Sequence, residues 1–334
     1  MTDVHDQLKR PLRDLRISVT DRCNFRCTYC MPRETFGRDY EFLSRDLLLR
    51  FEEIADIAKV FAGFGVNRLR LTGGEPLMRK GIEKLIRWLK DIEGIDEVML
   101  TTNGSLLERD ADMLVAAGLD RVTVSLDSLS DEIFMGMNDA GYSVASVLAG
   151  IEAAATAGLK PIKVNAVVKR GVNDGEVVAL AEHFRGTGHI MRFIEYMDVG
   201  TTNGWRLNDV VPARQIIAAI NERFPLEPAD PNHKGEVARR YRYQDGAGEV
   251  GVITSVTQPF CRDCTRARLS AEGQLYTCLF AGKGTDLRAV IREEPDRLAE
   301  VISAVWSARS DRYSEQRSEA SLPFPKVEMS YIGG

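Results

Sequence analysis

Six cysteines fall in two triplets, Cys23/Cys27/Cys30 and Cys261/Cys264/Cys278. Clustered thiols in a chain with no export signal read as metal ligands rather than disulfides, and an odd number cannot pair completely. Six unrelated buried thiols would seldom gather in this way. The first triplet is spaced C-x3-C-x2-C, as Cys23-Asn-Phe-Arg-Cys27-Thr-Tyr-Cys30. Three thiolates on one loop can hold three irons of a 4Fe–4S cube, whereas full cysteine ligation takes four. The missing ligand leaves one iron open, as a catalytic zinc keeps a position open for substrate. A structural zinc with a distant fourth ligand is the alternative, but zinc sites usually present cysteines as C-x2–4-C pairs.

An open iron can chelate the amino and carboxylate groups of S-adenosylmethionine (SAM). An electron delivered through the cluster can then cleave SAM to methionine and a 5′-deoxyadenosyl radical. The second triplet reads Cys261-Arg-Asp-Cys264-Thr-Arg266-Ala-Arg268, then Cys278, a C-x2-C-x13-C spacing. It again supplies three thiolates and an open fourth position. A zinc ribbon fragment completed by His233 or a carboxylate fits this spacing as well. The chain has four histidines and no H-E-x-x-H, so a histidine-built catalytic metal site is not expected.

These loops need a scaffold. Short β-rich runs at Leu15–Val19, Arg68–Thr72, Glu97–Thr102, Arg121–Leu126, Ile162–Val168 and Met191–Tyr196 alternate with segments of helical periodicity. The helical segments are Leu47–Phe64, Ile82–Leu89, Arg109–Ala117, Ser143–Ala157 and Glu176–Phe184. Alternation of this kind predicts a parallel sheet with right-handed crossovers, either a partial (β/α)6 barrel or an open doubly wound sheet. Beyond about residue 200 the pattern changes. Pro225–Pro231 reads as a breaker-rich loop, strands follow at Tyr241–Tyr243 and Val250–Val256, and helices at Leu287–Glu293 and Leu298–Ala308 close the chain. The expected division is residues 1–200 as the partial barrel and 201–334 as a C-terminal region covering its open end.

Active sites of such barrels lie at the C-terminal ends of the strands. Those ends carry the first cysteine loop, Gly73-Gly74-Glu75, Thr101-Thr102-Asn103-Gly104, Ser125-Leu126-Asp127, Asn165 and Glu195-Tyr-Met197. Alternation within each strand sends successive side chains to opposite faces. The apolar faces should lie under helices, which turns Arg16, Arg70, Lys163 and Arg192, with Arg68 beside them, into the lumen. Enclosed cations call for an anion, and a triphosphate fits. For any one of these residues an ordinary charge on a solvated rim is the competing reading.

Several of these motifs resemble the radical SAM superfamily. The cysteine triplet with Tyr29 before its last member looks like that superfamily's signature, and Thr72-Gly-Gly-Glu-Pro76 extends the likeness. The likeness implies that the Gly-Gly-Glu-Pro turn lies against the amino group of SAM, and paired glycines permit so close an approach. The two triplets, Thr265-Arg266-Ala267-Arg268 and the terminal Gly333-Gly334 together resemble the GTP 3′,8-cyclase family, which opens molybdenum cofactor biosynthesis. That resemblance runs from Arg16 to Gly334. It implies that both clusters are 4Fe–4S, with the open iron of the second on guanine. Tyr29, Gly74, Ser125 and Met197 would surround SAM. GTP would be held by Arg16, Arg70, Thr101, Lys163, Arg192, Arg266 and Arg268. Arg266, Arg268, Gly333 and Gly334 would be catalytic, the double glycine entering the site where a frayed end would otherwise be expected.

The resemblance also implies an electron donor of flavodoxin or ferredoxin type and a downstream cyclic pyranopterin monophosphate synthase, and leaves a homodimer open. A different radical SAM enzyme with an auxiliary cluster is one alternative. A two-cluster electron carrier is another, although its clusters should be fully ligated. A net charge of −5 gives no reason to expect nucleic acid as a partner. No apolar run approaches the roughly 20 residues of a membrane span, and the polar start MTDVHDQLKR lacks a signal-peptide core, so no membrane association and a cytoplasmic location are expected.

Overall fold

The computed structural model describes residues 3–233, 235–317 and 325–333. Six strands alternate with helices in the first part: β1 Asp14–Ser18, β2 Arg68–Thr72, β3 Glu97–Thr102, β4 Arg121–Ser125, β5 Lys163–Val168 and β6 Ile190–Glu195. The helices between them are α1 Phe51–Gly63, α2 Ile82–Lys90, α3 Leu107–Ala116, α4 Asp131–Asn138, α5 Val144–Thr156 and α6 Val177–Phe184. Later come α7 Ala213–Arg223, the strands β7 Leu226–Ala229, β8 Ala238–Tyr243, β9 Glu249–Ile253, β10 Arg266–Leu269, β11 Gln274–Tyr276 and β12 Thr285–Asp286, and the helices α8 Leu287–Glu293, α9 Leu298–Ser307, α10 Tyr313–Gln316 and α11 Met329–Ile332.

All the strands form one twelve-stranded sheet in the order β12-β11-β10-β1-β2-β3-β4-β5-β6-β9-β8-β7. The run from β10 through β1–β6 to β9 is parallel, and antiparallel pairs lie outside it at both edges. The sheet is an open barrel. Strand parity explains which face is which. Leu15, Ile17, Leu69 and Leu71 are fully buried against a core that includes Ile54, Ile57 and Phe61 of α1, while Arg16 and Arg70 take the other face.

The C-terminal region contributes more than a cover, since β9 and β10 pair directly with β6 and β1. The stretch 225–231, expected as loop, contains β7 at the sheet's edge. Pro228 is tolerated there because an outermost strand has one side free of ladder hydrogen bonds. Helix α1 starts at Phe51 rather than Leu47, because Arg50 is extended and its backbone N–H donates to Glu53 at 2.7 Å. No helix is long and apolar enough to cross a membrane among the described residues.

Candidate active site

The first cysteine loop leaves β1 and is zipped to the turn after β2. Val19 N donates to Thr72 O at 2.9 Å, Gly74 N to Thr20 O at 2.8 Å and Glu75 N to Arg22 O at 2.8 Å. Both glycines are required by this approach. A Cβ on Gly73, whose φ is +139°, would lie 2.3 Å from Thr20 O, and one on Gly74 would lie 2.2 Å from Arg22 O. Glu75 is fully buried and accepts from Leu77 N (3.0 Å), Thr102 Oγ1 (2.8 Å) and Asn103 N (2.7 Å). Burial pushes its carboxyl up to about 7, against the pull of these donors. Asn103 in turn donates from Nδ2 to Asn24 Oδ1 at 2.8 Å and to Cys23 Sγ at 3.8 Å. Glu75 thus holds the end of β3 against the cysteine loop.

The three thiols of this loop are free and partly exposed. Burial pushes Cys23 up to about 12, and it pushes Cys27 well above its ordinary value, with Asp127, Cys23 and Cys30 adding to the latter effect. Three crowded thiolates repel one another, and cationic iron relieves that repulsion, so the donor set fits an iron–sulfur cluster. Among the described residues, no three His, Cys, Asp or Glu side chains close on a single ion.

Tyr29 donates its hydroxyl to Asp127 Oδ2 at 2.8 Å, and Asp127 Oδ1 accepts from Val167 N at 2.8 Å. Asn203 Nδ2 donates to the carbonyl of Met197 at 3.2 Å and reaches that of Tyr29 at 3.5 Å. Ser125 ends β4 opposite Asn165 of β5. Tyr29, Ser125 and Met197 are therefore drawn to one end of the sheet, and Gly74 lies on the cysteine loop beside them.

A second group lies on the inner face. Register places Arg268 of β10, Arg16 of β1 and Arg70 of β2 side by side in one row. The row nearer the strand starts is Arg266, Asp14, Arg68 and Glu97, of alternating sign. Arg68 Nε donates to Asp14 Oδ1 at 2.8 Å, and Arg121 pairs with Glu97. Among the described residues, the inner row has no such partners. Arg70 Nη1 reaches only the hydroxyls of Thr101 and Thr123, each at 3.3 Å, and its Nη2 reaches the Met99 sulfur. Arg192 donates from Nε to Asn165 Oδ1 at 3.0 Å, in room left by Gly251, where a Cβ would lie 3.1 Å from Arg192 Cγ. Among the described residues, Arg16, Arg70, Lys163, Arg192, Arg266 and Arg268 make no ion pair. Burial pushes Arg16, Arg70, Arg192 and Arg268 below the ordinary guanidinium value, and neighbouring arginines add to the effect. Among the described residues, Arg268 Nε is buried with no hydrogen-bond partner. Such a face is costly until an anion meets it.

The second triplet opens on the same cavity as these cations. Burial raises the Cys264 thiol, but Arg266 and Arg309 more than offset it and bring it down to about 6. Cys278 is pushed up to about 12 by burial and by Asp311. Arg266 Nη2 donates to Cys264 Sγ at 3.3 Å and its guanidinium lies 5.1 Å from the Phe260 ring centroid. Three thiols beside cations suit a second anionic cluster. Anaerobic reconstitution should therefore give about eight irons per chain, a number read by metal analysis. About four irons with one tightly held zinc would contradict the second assignment.

The tail reaches the first site. Ser330 hydrogen-bonds through its backbone to Cys30, and Gly333 is buried against Thr72 at the end of β2. Gly333 has φ +72°, and a Cβ there would lie 2.1 Å from Thr72 Cγ2. Gly334 lies outside the described residues. The anchors of this tail were not signalled by any motif. Lys326 Nζ donates to Asp198 Oδ2 at 2.7 Å, and Glu328 accepts from Thr201 N at 2.8 Å.

A sequence model of the radical SAM superfamily matches residues 17–184, and one described as Molybdenum Cofactor Synthesis C matches residues 189–315. The chain is 56% identical over 358 aligned residues to a GTP 3′,8-cyclase of Acidothermus cellulolyticus, covering 99% of both chains. The chain belongs to the GTP 3′,8-cyclase family. The family member of Xanthomonas campestris is 51% identical, with 99% of this chain and 97% of the relative covered, and that of Staphylococcus aureus is 46% identical, with 99% of each covered. Among solved structures, Streptococcus suis SuiB bound to S-adenosylmethionine superposes with a TM-score of 0.58 at 15% identity, over 92% of this chain and 69% of that one. Methylornithine synthase superposes with a TM-score of 0.50 at 17% identity, over 65% of this chain and 63% of that one. These two likenesses show a shared fold. As a radical SAM member of the GTP 3′,8-cyclase family, the chain is an enzyme that uses SAM and 4Fe–4S clusters.

Proposed function

We infer that the protein converts GTP to (8S)-3′,8-cyclo-7,8-dihydroguanosine 5′-triphosphate, the first step of molybdenum cofactor biosynthesis. The observation that carries this reading is the row of unpaired cations, Arg268, Arg16 and Arg70, facing a cavity shared with the second thiol triplet. Cys23, Cys27 and Cys30 would hold the first cluster, which when bound would pass one electron from an external reductant to SAM and so supply the 5′-deoxyadenosyl radical. Tyr29, Gly74, Ser125 and Met197 hold SAM at the strand ends. Arg16, Arg70, Thr101, Lys163 and Arg192 fix the triphosphate, which sets carbon 3′ of the ribose before the radical source. Holding reacting atoms at near-contact distance supplies a large part of such a rate enhancement. Arg266 and Arg268 orient the substrate beside the second cluster, held by Cys261, Cys264 and Cys278. Gly333, buried against Thr72, is assigned with Gly334 to the catalytic group, Gly334 lying outside the described residues.

The same reading divides the chain near residue 200 into a partial barrel and a C-terminal region. It takes the electron from a flavodoxin- or ferredoxin-type donor and hands the product to a cyclic pyranopterin monophosphate synthase. It places the enzyme in the cytoplasm and leaves a homodimer open as its assembly.

Lys163 gives the test. Burial, then Arg192, Arg70 and Arg121, push its ammonium down to about 8, while Glu236 pulls the other way. The free enzyme therefore holds a charged Lys163 below that pH and a neutral one above it. A bound phosphate restores the charge, so binding above pH 8 must take up a proton. GTP affinity should fall about tenfold between pH 7 and pH 9. Equilibrium dialysis of GTP under anaerobic conditions reads this, with Lys163→Met expected to bind weakly and without the fall. Guanosine should bind far more weakly than GTP and show no such dependence. Equal binding of guanosine and GTP would remove the triphosphate site from the account.

A further inference from the structure

A buried charge network behind the second cysteine loop has no part in the function so far described. Arg10, before β1, is 2% exposed and lines the cavity that Cys261, Cys264 and Cys278 also line. Its Nε donates to Asp6 Oδ2 at 2.5 Å, and its Nη1 donates to the carbonyls of Cys261 at 2.8 Å and Asp311 at 3.0 Å. Its Nη2 is buried with no hydrogen-bond partner among the described residues. Arg309 completes the network. It lies 3.5 Å from Asp6, reaches Asp311, and donates to the carbonyl of Cys264 at 2.7 Å. Two guanidiniums thus share Asp6, and each holds the main chain of one cysteine of the C-x2-C pair.

The segment that carries Arg10 is itself fixed. Arg10 N donates to Asp6 Oδ1 at 2.9 Å, and Trp306 Nε1 donates to Arg10 O at 3.1 Å. Two of the guanidinium's three nitrogens are therefore committed to the protein frame. The third is out of water with its hydrogens unmet, a cost that a buried anionic acceptor removes. Cysteine ligands and sulfides of an iron–sulfur cluster are such acceptors, and hydrogen bonds to them tune the cluster.

We propose that Arg10 is a positioning residue of the second iron–sulfur site, fixing Cys261 through its carbonyl and offering its remaining Nη2–H to the anionic sulfur of the bound cluster. The proposal rests on the reading of the second triplet as a cluster site. A cation and a donor beside the cluster favour its reduced, more negative state. Removing Arg10's charge should lower the second cluster's midpoint potential, and removing Asp6's charge should raise it.

The test is an anaerobic titration, followed by electron paramagnetic resonance, of both clusters in the reconstituted full chain. Arg10→Gln should move the second cluster to a more negative potential, Arg10→Lys should move it less, and Asp6→Asn should move it the opposite way. The first cluster should stay in place throughout and serves as the internal control. If Arg10→Gln does not fold, the sign of the Asp6→Asn shift carries the test alone. Unchanged second-cluster potentials, or shifts of one sign in Arg10→Gln and Asp6→Asn, would overturn the proposal. Weakened GTP binding in Arg10→Gln with the potential unmoved would assign the free N–H to substrate and overturn it too. Wild-type protein with one zinc and about four irons would instead remove the underlying reading, a result distinct from the others.

Discussion

Cys27→Ala abolishes reductive cleavage of SAM, whereas Cys264→Ala leaves cleavage measurable and stops ring closure. The expectation follows from where the two thiols lie. Cys27 is in the loop zipped to Gly73–Gly74 at the end of β2, and Cys264 opens on the cationic cavity. A cluster left with two thiolates at the first site should be lost or rebuilt, and with it the iron that chelates SAM. Loss at the second site should leave the first intact, because among the described residues no hydrogen bond joins the two loops. High-performance chromatography of 5′-deoxyadenosine and of the nucleotide product, with dithionite as reductant, separates the two outcomes. Equal loss of cleavage in both variants would refute this division of labour.

The second large effect concerns the unpaired cations. Arg70→Ala and Arg192→Ala should each weaken GTP binding about 10- to 150-fold, the equivalent of roughly 1.5–3 kcal/mol for a hydrogen bond to a charged group. Arg70 now reaches only two hydroxyls and a thioether, and Arg192 one amide oxygen, so each guanidinium keeps donors for phosphate. Arg68→Ala on the same face should weaken GTP binding much less, because that guanidinium is already paired with Asp14 through two hydrogen bonds. SAM binding should change little in all three. Equilibrium dialysis of both ligands under anaerobic conditions measures this, and normal GTP binding by Arg70→Ala and Arg192→Ala would show that the inner row is not a phosphate site.

The inner face was legible because strand parity is local. Once Leu15, Ile17, Leu69 and Leu71 are assigned to the helices, Arg16 and Arg70 have only one other face to occupy. The strand ends and the cysteine loops followed from the same local patterns. Parity could not tell the paired Arg68 from the unpaired Arg70, since the difference depends on which residue of the neighbouring strand stands opposite. What the sequence hid depends on contacts made far along the chain. Residues 10 and 261 are 251 positions apart, yet Arg10 holds the Cys261 carbonyl. No periodicity marks that pairing, and Arg10 sits in a stretch that reads only as polar. Strand β10 is short and half arginine, so it carried no β signature. It is a strand because β1 offers it a parallel edge. Pro228 hid β7 for the opposite reason, as a breaker tolerated at an edge.

The central claim is that one cavity binds GTP beside a source of the deoxyadenosyl radical and joins carbon 3′ to carbon 8. Its most direct measurement is anaerobic incubation of the reconstituted enzyme with SAM, dithionite and each nucleoside triphosphate in turn, followed by chromatography and mass spectrometry. With GTP, 5′-deoxyadenosine should accumulate together with a new compound of the same mass as GTP but different retention, as ring closure followed by reduction of the ring requires. The other triphosphates should give no such isomer. An isomer formed equally from ATP, or 5′-deoxyadenosine without any new guanine nucleotide from GTP, would contradict the account.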